Sequence, residues 1–111
     1  MPRDDKTRLM HMLAEARKMM ARIATCNRAD LDSNDDLAAA IVWRLTVIGE
    51  AASKVTDPTR VQHPEIPWPQ IVSMRYRLIH GYDSIDREVV WQTVTVDIPP
   101  LVRSPEAIHD P

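Results

Sequence analysis

The 111-residue chain is short of several residue types, and each shortage excludes a class of protein. A single cysteine, Cys26, permits neither an intramolecular disulfide nor a metal site built from several cysteines. No apolar run approaches the ~18 residues that a membrane-spanning helix requires. The net charge of −2 excludes a protein that coats polyanions through overall positive charge. The first residues are polar rather than a signal-peptide core, and we expect a cytoplasmic protein without membrane contact.

Glycine and phenylalanine are also scarce, and their scarcity favours helices over sheets. The chain has two glycines and no phenylalanine, and its nine prolines cluster in connections and near the end. A chain of this length forms one hydrophobic core. We therefore predict an all-α fold, a compact antiparallel bundle of about four helices over residues 1–102, followed by a flexible tail over 103–111.

Apolar residues recur at helical spacing in three segments: 4–26, 35–55 and 68–80. Residues 83–98 are ambiguous, because their apolar positions fit a helix while 93–98 alternate as a β-branched strand does. A lone strand would have no partner elsewhere in the chain. We therefore favour a fourth helix here, ended by Pro99 and Pro100.

The second predicted helix has apolar residues on two faces. One face suits the domain core, and the other carries Trp43 and Val47 with Glu50 beside them. A helix with two apolar faces packs on the core with one face and needs a separate partner for the other. We expect that partner to be a second copy of the chain, so the protein is predicted to form a homodimer.

Polar chemistry is concentrated in residues 74–82, Met-Arg-Tyr-Arg-Leu-Ile-His-Gly-Tyr. At about 100° per residue, Arg75 falls inside an apolar helical stripe, whereas a purely structural helix would have leucine there. An arginine in such a position is costly unless it is paired or faces a polar cleft. Glu50 is a reasonable partner for Arg75, although an exposed Glu50 fits the pattern equally well.

Arg75 and His80 together suit the cleavage of RNA without a metal or a protein nucleophile. RNA supplies its own nucleophile, the 2′-hydroxyl, so the protein needs a proton carrier and a cation. A guanidinium binds phosphate oxygens and stabilises the charge that develops on them. Arg77 would add positive charge, and Tyr76 or Tyr82 could stack on a base. From the residues alone, His80 as a plain helix-end residue is the simpler interpretation.

The motif formed by Arg75, His80 and Tyr82 resembles the signature of HepT-type toxins of the HEPN superfamily. The similarity extends beyond the motif into segments on either side of it, namely 45–52, 63–68, 89–91 and 97–99. Together these segments and the motif relate most of residues 5–101 to the family.

The resemblance implies a dimeric α-helical toxin of a type II toxin–antitoxin system. It implies endoribonuclease activity that needs neither metal nor cofactor, with Arg75 and His80 as the catalytic pair. It also implies an antitoxin partner, a nucleotidyltransferase of the MNT type, which can adenylylate the motif tyrosine, here Tyr82. A bulky AMP at Tyr82 would block RNA entry and place negative charge where the phosphate must bind.

One residue departs from the family pattern. The position after the motif arginine commonly holds a small polar residue, often Asn, but here it holds Tyr76. This difference leaves open an alternative function, a catalytically silent helical partner that regulates a nucleotidyltransferase. A purely structural dimerisation domain would leave Arg75 unexplained.

Overall fold

The computed structural model describes residues 2–80 and 84–103 of the chain. These residues form an all-α bundle, as predicted, with one small hairpin. The elements in chain order are α1 (Arg3–Ile23), α2 (Arg28–Ser33), α3 (Asp35–Ser53), α4 (Asp57–Gln62), α5 (Trp68–Arg77), β1 (Ile79–His80), β2 (Ser84–Ile85), α6 (Arg87–Gln92), a π-helical turn (Thr93–Asp97) and α7 (Pro99–Val102). The two strands are antiparallel, with Ile79 opposite Ile85. None of the helices in these ranges combines the length and apolarity needed to cross a membrane.

Helix α3 lies at the centre of the bundle, with α1 packed on one side and α5 on the other. Its core face carries Leu45 and Ile48, which are completely buried. Met12 from α1 and Met74 from α5 are buried against the same core. Because α3 packs against both α1 and α5, its residues connect these two helices.

The contact between α3 and α5 is especially close at Gly49. A Cβ atom at this position would lie 3.1 Å from the carbonyl oxygen of Ile71 and 3.5 Å from Cε of Met74. The absent side chain lets the two helices approach. It also brings the next residue, Glu50, to the edge of α5.

The start of α1 is fixed by a buried carboxylate, Asp5, which is 1% exposed. It accepts hydrogen bonds from the backbone N–H of Thr56 at 3.2 Å, from the Thr56 hydroxyl, and from the Thr59 hydroxyl at 2.6 Å. Burial by itself raises the pKa of Asp5, but these hydrogen bonds outweigh it and the pKa lies below its ordinary value. Asp5 thus joins α1 to the connection between α3 and α4.

Two short helices lie in the connections between the long helices. Helix α2 begins with a capping box, in which Asn27 and Asp30 each bind the other's backbone N–H through their side chains. Helix α4 lies within the proline-rich connection, where Pro58 occupies its first turn. Asn34 caps the second long helix, since its side chain accepts from the N–H of Leu37 at 3.0 Å.

The end of the third long helix differs from the prediction. Helix α5 stops at Arg77 instead of continuing to residue 80, because the chain turns there into the β1–β2 hairpin. The N–H of Asp86 closes this hairpin by donating to the carbonyl of Leu78 at 2.7 Å. Gly81, which follows β1, lies outside the described residues.

The ambiguous segment is helical, as favoured, but with different ends. Its first helix, α6, is capped by Asp86, whose side chain accepts from the N–H of Val89 at 3.1 Å. The prediction that Pro99 and Pro100 end the helix is wrong. They begin α7, because proline lacks only an N–H that the first turn of a helix leaves unpaired anyway. The predicted tail begins at Arg103, and residues 104–111 lie outside the described part.

Candidate active site

The guanidinium of Arg75 is held by two side chains. Its Nη1 forms an ion pair with Oε2 of Glu50, and its Nη2 donates to the hydroxyl oxygen of Tyr76 at 2.8 Å. The guanidinium carbon also lies 4.8 Å from the centre of the Tyr76 ring. The side chain of Arg75 is 31% exposed, and its Nε has no hydrogen-bond partner among the described residues. Of the two possibilities for Glu50, pairing with Arg75 or simple exposure, the structure shows both, since Glu50 pairs with Arg75 while its side chain is 50% exposed.

These contacts preserve the charge of Arg75 and fix its direction. The Tyr76 hydroxyl and then the Glu50 carboxylate raise the pKa of Arg75 above its ordinary value. Each terminal guanidinium nitrogen carries two N–H groups. Within the described residues, one N–H on Nη1 and one on Nη2 therefore remain for a ligand. Arg75 is thus an oriented cation at the surface, suited to binding an oxyanion.

The other residues of the motif follow directly after α5. The backbone of His80 lies in β1 and pairs with Ser84 of β2, while the side chain of His80 is outside the described part of the structure. Tyr82 also lies outside the described residues. The catalytic role of His80 and the modification of Tyr82 therefore remain predictions.

Arg77 does not join Arg75. Its Nη2 donates to the backbone carbonyl of Gln70 at 2.9 Å and lies 3.9 Å from Oδ2 of Asp97 in the π-helical turn. The two arginines diverge because two residues correspond to about 200° around a helix. Arg77 therefore faces a small polar pocket of about 220 Å³ between α5 and the π-helical turn.

A larger groove of about 480 Å³ lies between α1 and α3, next to the Arg75 partner Glu50. Trp43 lines this groove with 68% of its surface exposed, which agrees with the predicted second apolar face. Arg8 and His11 of α1 line the opposite wall. Arg8 and His11 were not predicted to line a groove, because the sequence does not show which part of the polar face of α1 lies beside α3.

Asp97 was also missed as a site residue. The available signal was a lone charged residue within the β-branched run 93–98. Within the described ranges, no group of three or more histidine, cysteine, aspartate or glutamate side chains is placed to hold a metal ion.

Comparisons with known proteins place the chain in a family. The model of the family "Ribonuclease HepT-like" matches residues 12–108. The chain is 31% identical over 100 residues to "Putative RNase TTE0752" of Caldanaerobacter subterraneus subsp. tengcongensis, covering 90% of this chain and 89% of that protein. It is 44% identical over 62 residues to "Probable ribonuclease HepT" of Thermococcus cleftensis, covering 56% of each chain. No solved structure matches it.

The fold and the position of the motif together define a small helical domain of the HEPN type. A half-exposed arginine lies in the last turn of α5, and the motif histidine follows in β1. The match over most of the chain makes the assignment specific: the protein belongs to the ribonuclease HepT-like family.

Proposed function

We propose that this protein is a cytoplasmic, metal-independent endoribonuclease and the toxin of a type II toxin–antitoxin system. The observation that carries the proposal is the Arg75 guanidinium, five residues before His80, which is held by Glu50 and Tyr76 and keeps two terminal N–H groups unpaired within the described part of the chain. The ribonuclease names of the relatives support the same activity.

In the proposed reaction, RNA supplies the nucleophile. The 2′-hydroxyl oxygen bonds to the adjacent phosphorus, and the bond to the 5′-oxygen of the next nucleotide breaks. The products are a 2′,3′-cyclic phosphate and a free 5′-hydroxyl, so one proton moves from the 2′-oxygen to the leaving oxygen. His80 carries protons in this step, since imidazole titrates near neutral pH. Arg75 donates to the phosphate oxygens, whose negative charge grows in the transition state.

Glu50 and Tyr76 are the proposed positioning residues. Glu50 fixes Nη1 of Arg75, and Tyr76 fixes Nη2 while its ring covers one face of the guanidinium. Preorganised donors stabilise a transition state because they need no reorientation during the reaction. The polar contact that a small residue after the motif arginine could make is supplied here by the Tyr76 hydroxyl.

We further propose that the groove between α1 and α3 binds a second copy of the chain. The exposed Trp43 gives the groove an apolar centre of the kind that interfaces bury. Its walls also carry both signs of charge, with Asp4 and Glu50 near Arg8 and Lys54. In a two-fold dimer, the acidic residues of one copy can face the basic residues of the other. An RNA strand in the same groove would be repelled by the two acidic residues.

The proposed antitoxin is a nucleotidyltransferase of the MNT type. It would transfer the adenylyl group of ATP to the hydroxyl of Tyr82, releasing pyrophosphate. Tyr82 is two residues from His80 in sequence. The added phosphate would repel RNA, and the adenosine would occupy space beside the proton carrier.

Expression of the chain alone tests this function. We expect wild type to arrest growth with RNA cleavage, and His80→Ala to be harmless while remaining folded by circular dichroism. Purified wild type should cleave RNA equally well with and without EDTA. Co-expression of the nucleotidyltransferase should restore growth and add one AMP mass, an addition that Tyr82→Phe should abolish.

A catalytically silent regulator of a nucleotidyltransferase is the second candidate. It is favoured by the two intramolecular contacts of Arg75, which already engage both terminal nitrogens. In that case wild type, unmodified at Tyr82, would leave growth and RNA unaffected while still binding the nucleotidyltransferase.

A further inference from the structure

The pocket that Arg77 faces is a polar site that the proposed reaction does not use. Gln70 and Arg77 of α5 form one wall, and the chain from Gln92 to Asp97 forms the other. Its volume of about 220 Å³ suits one flat ring system. The second wall includes the π-helical turn, an irregularity that proteins frequently place at functional sites.

The polar groups of this pocket are incompletely hydrogen-bonded. The carboxylate of Asp97 is 17% exposed, and among the described residues its charged partner is Nη2 of Arg77, 3.9 Å away. Burial raises the pKa of Asp97 above its ordinary value, and Arg77 only partly opposes this. The side chains of Gln70 and Gln92 are exposed to solvent, and within the described residues their amides make no hydrogen bond, so both are available to a ligand. A partly covered carboxylate with few donors gains hydrogen bonds when a ligand supplies them.

The donors and acceptors of the pocket match one nucleobase in particular. An ionised carboxylate offers two acceptor oxygens, while Arg77 and the amides of Gln70 and Gln92 offer donors. Guanine presents two adjacent donors, N1–H and the N2 amino group, beside the O6 acceptor, and the other RNA bases lack this adjacent pair. Val96, which is 60% exposed, adds an apolar surface at the rim. We infer that the pocket binds the guanine base of an RNA nucleotide near the cleavage site.

The position of the pocket relative to Arg75 suits this role, and the inference rests on the proposed ribonuclease function. Arg75 and Arg77 leave opposite sides of the last turn of α5, a helix about 10 Å across. A single strand whose phosphate is bound by Arg75 has to reach across about this width to place a base beside Arg77. An unstacked base within about two nucleotides of the cut can then enter the pocket, as in other single-strand RNA readers.

Cleavage of short single-stranded RNAs that differ in one base tests the inference. Wild type should cut next to guanine about tenfold faster than next to adenine, because one bidentate pair gives discrimination of this order. Asp97→Asn should lose that preference, since an amide cannot accept both guanine donors. The matched control Glu88→Gln changes an exposed acid on α6, whose partner is Arg28, and should keep the preference.

A binding measurement separates failure of this inference from failure of the ribonuclease proposal. Guanosine added to ¹⁵N-labelled wild type should shift the side-chain amide signals of Gln70 and Gln92, and adenosine should not. If wild type cleaves no RNA yet shows this selective shift, the ribonuclease proposal fails and the guanine pocket stands. If wild type cleaves RNA without base preference, or Asp97→Asn keeps the wild-type preference, the pocket does not read guanine.

Discussion

Arg75 and Arg77 lie two residues apart on α5, yet their guanidinium groups have opposite surroundings. Arg75 is bound by the carboxylate of Glu50 and the hydroxyl of Tyr76. Arg77 donates to a backbone carbonyl and lies 3.9 Å from Asp97, outside ordinary hydrogen-bonding distance. The difference arises because α5 has α3 on one side and the π-helical turn on the other.

One helix turn therefore presents two polar groups with different hydrogen-bonding states. A cation held rigidly, with N–H groups left over, is prepared to stabilise charge. A carboxylate that lacks hydrogen-bond donors is prepared to receive them from a ligand. The proposed catalytic side and the proposed base-reading side therefore differ in which of their groups remain unsatisfied.

The largest expected effect contrasts the two arginines directly. We expect Arg75→Ala to lower the cleavage rate at least about 10²-fold, the usual cost of losing a donor to a charged transition state. Arg77→Ala should lower it about tenfold at most and act mainly on base preference. Rates on a fluorescent oligonucleotide measure both, with Arg28→Ala on α2 as the control. Equal losses for Arg75→Ala and Arg77→Ala would contradict the division into two sides.

A carboxylate outside the site, that of Asp5, provides a hydrogen-bonded counterpart to the carboxylate of Asp97. Asp5 is fully hydrogen-bonded, and Asp5→Asn should lower the free energy of unfolding by about 1–3 kcal/mol at neutral pH. Because its folded-state pKa lies below the ordinary 3.8, this stabilisation is present above pH 3.8 and is lost as pH falls through the folded value. Urea unfolding at several pH values measures it, with the exposed Asp36→Asn as control. An equal loss in both variants would mean that Asp5's hydrogen bonds contribute little.

The next effect tests what holds Arg75. We expect Glu50→Gln to lower kcat about tenfold with less change in KM, because a misdirected guanidinium costs rate rather than binding. Tyr76→Phe keeps the ring beside the guanidinium and removes only the hydroxyl, so its effect should be smaller than that of Tyr76→Ala. Faster cleavage by Glu50→Gln would show instead that the carboxylate competes with the RNA phosphate.

The smallest expected effect concerns Asp97. We expect Asp97→Asn to leave the free energy of unfolding within about 0.5 kcal/mol of wild type at neutral pH, or slightly above it. The raised pKa means that ionised Asp97 costs stability as pH rises through its folded value, a cost that is absent below the ordinary value of 3.8. The free energy of unfolding of the variant should therefore rise relative to that of wild type as the pH increases from about 3.5 to about 7. Urea unfolding at these two pH values measures the difference. A clear loss at pH 7 would identify Asp97 as a structural residue paired with Arg77.

The sequence alone determined the features that depend on local periodicity. Helical spacing predicted the three long helices and showed that Arg75 interrupts an apolar stripe. The cost of burying an unpaired arginine made Glu50 a candidate partner without deciding between pairing and simple exposure, and the structure contains the pair. Composition and the lack of a partner for a lone strand were sufficient for the all-α class.

Features that depend on which surfaces meet follow from the packing of the whole domain and could not be predicted from local sequence. The hairpin that ends α5 at Arg77 is closed by Asp86, nine residues further along the chain, through a backbone hydrogen bond that no periodicity reveals. Arg77 points away from Arg75, and it faces a pocket only because the π-helical turn brings Asp97 against α5. Such contacts join residues far apart in sequence, and packing of the whole core selects them.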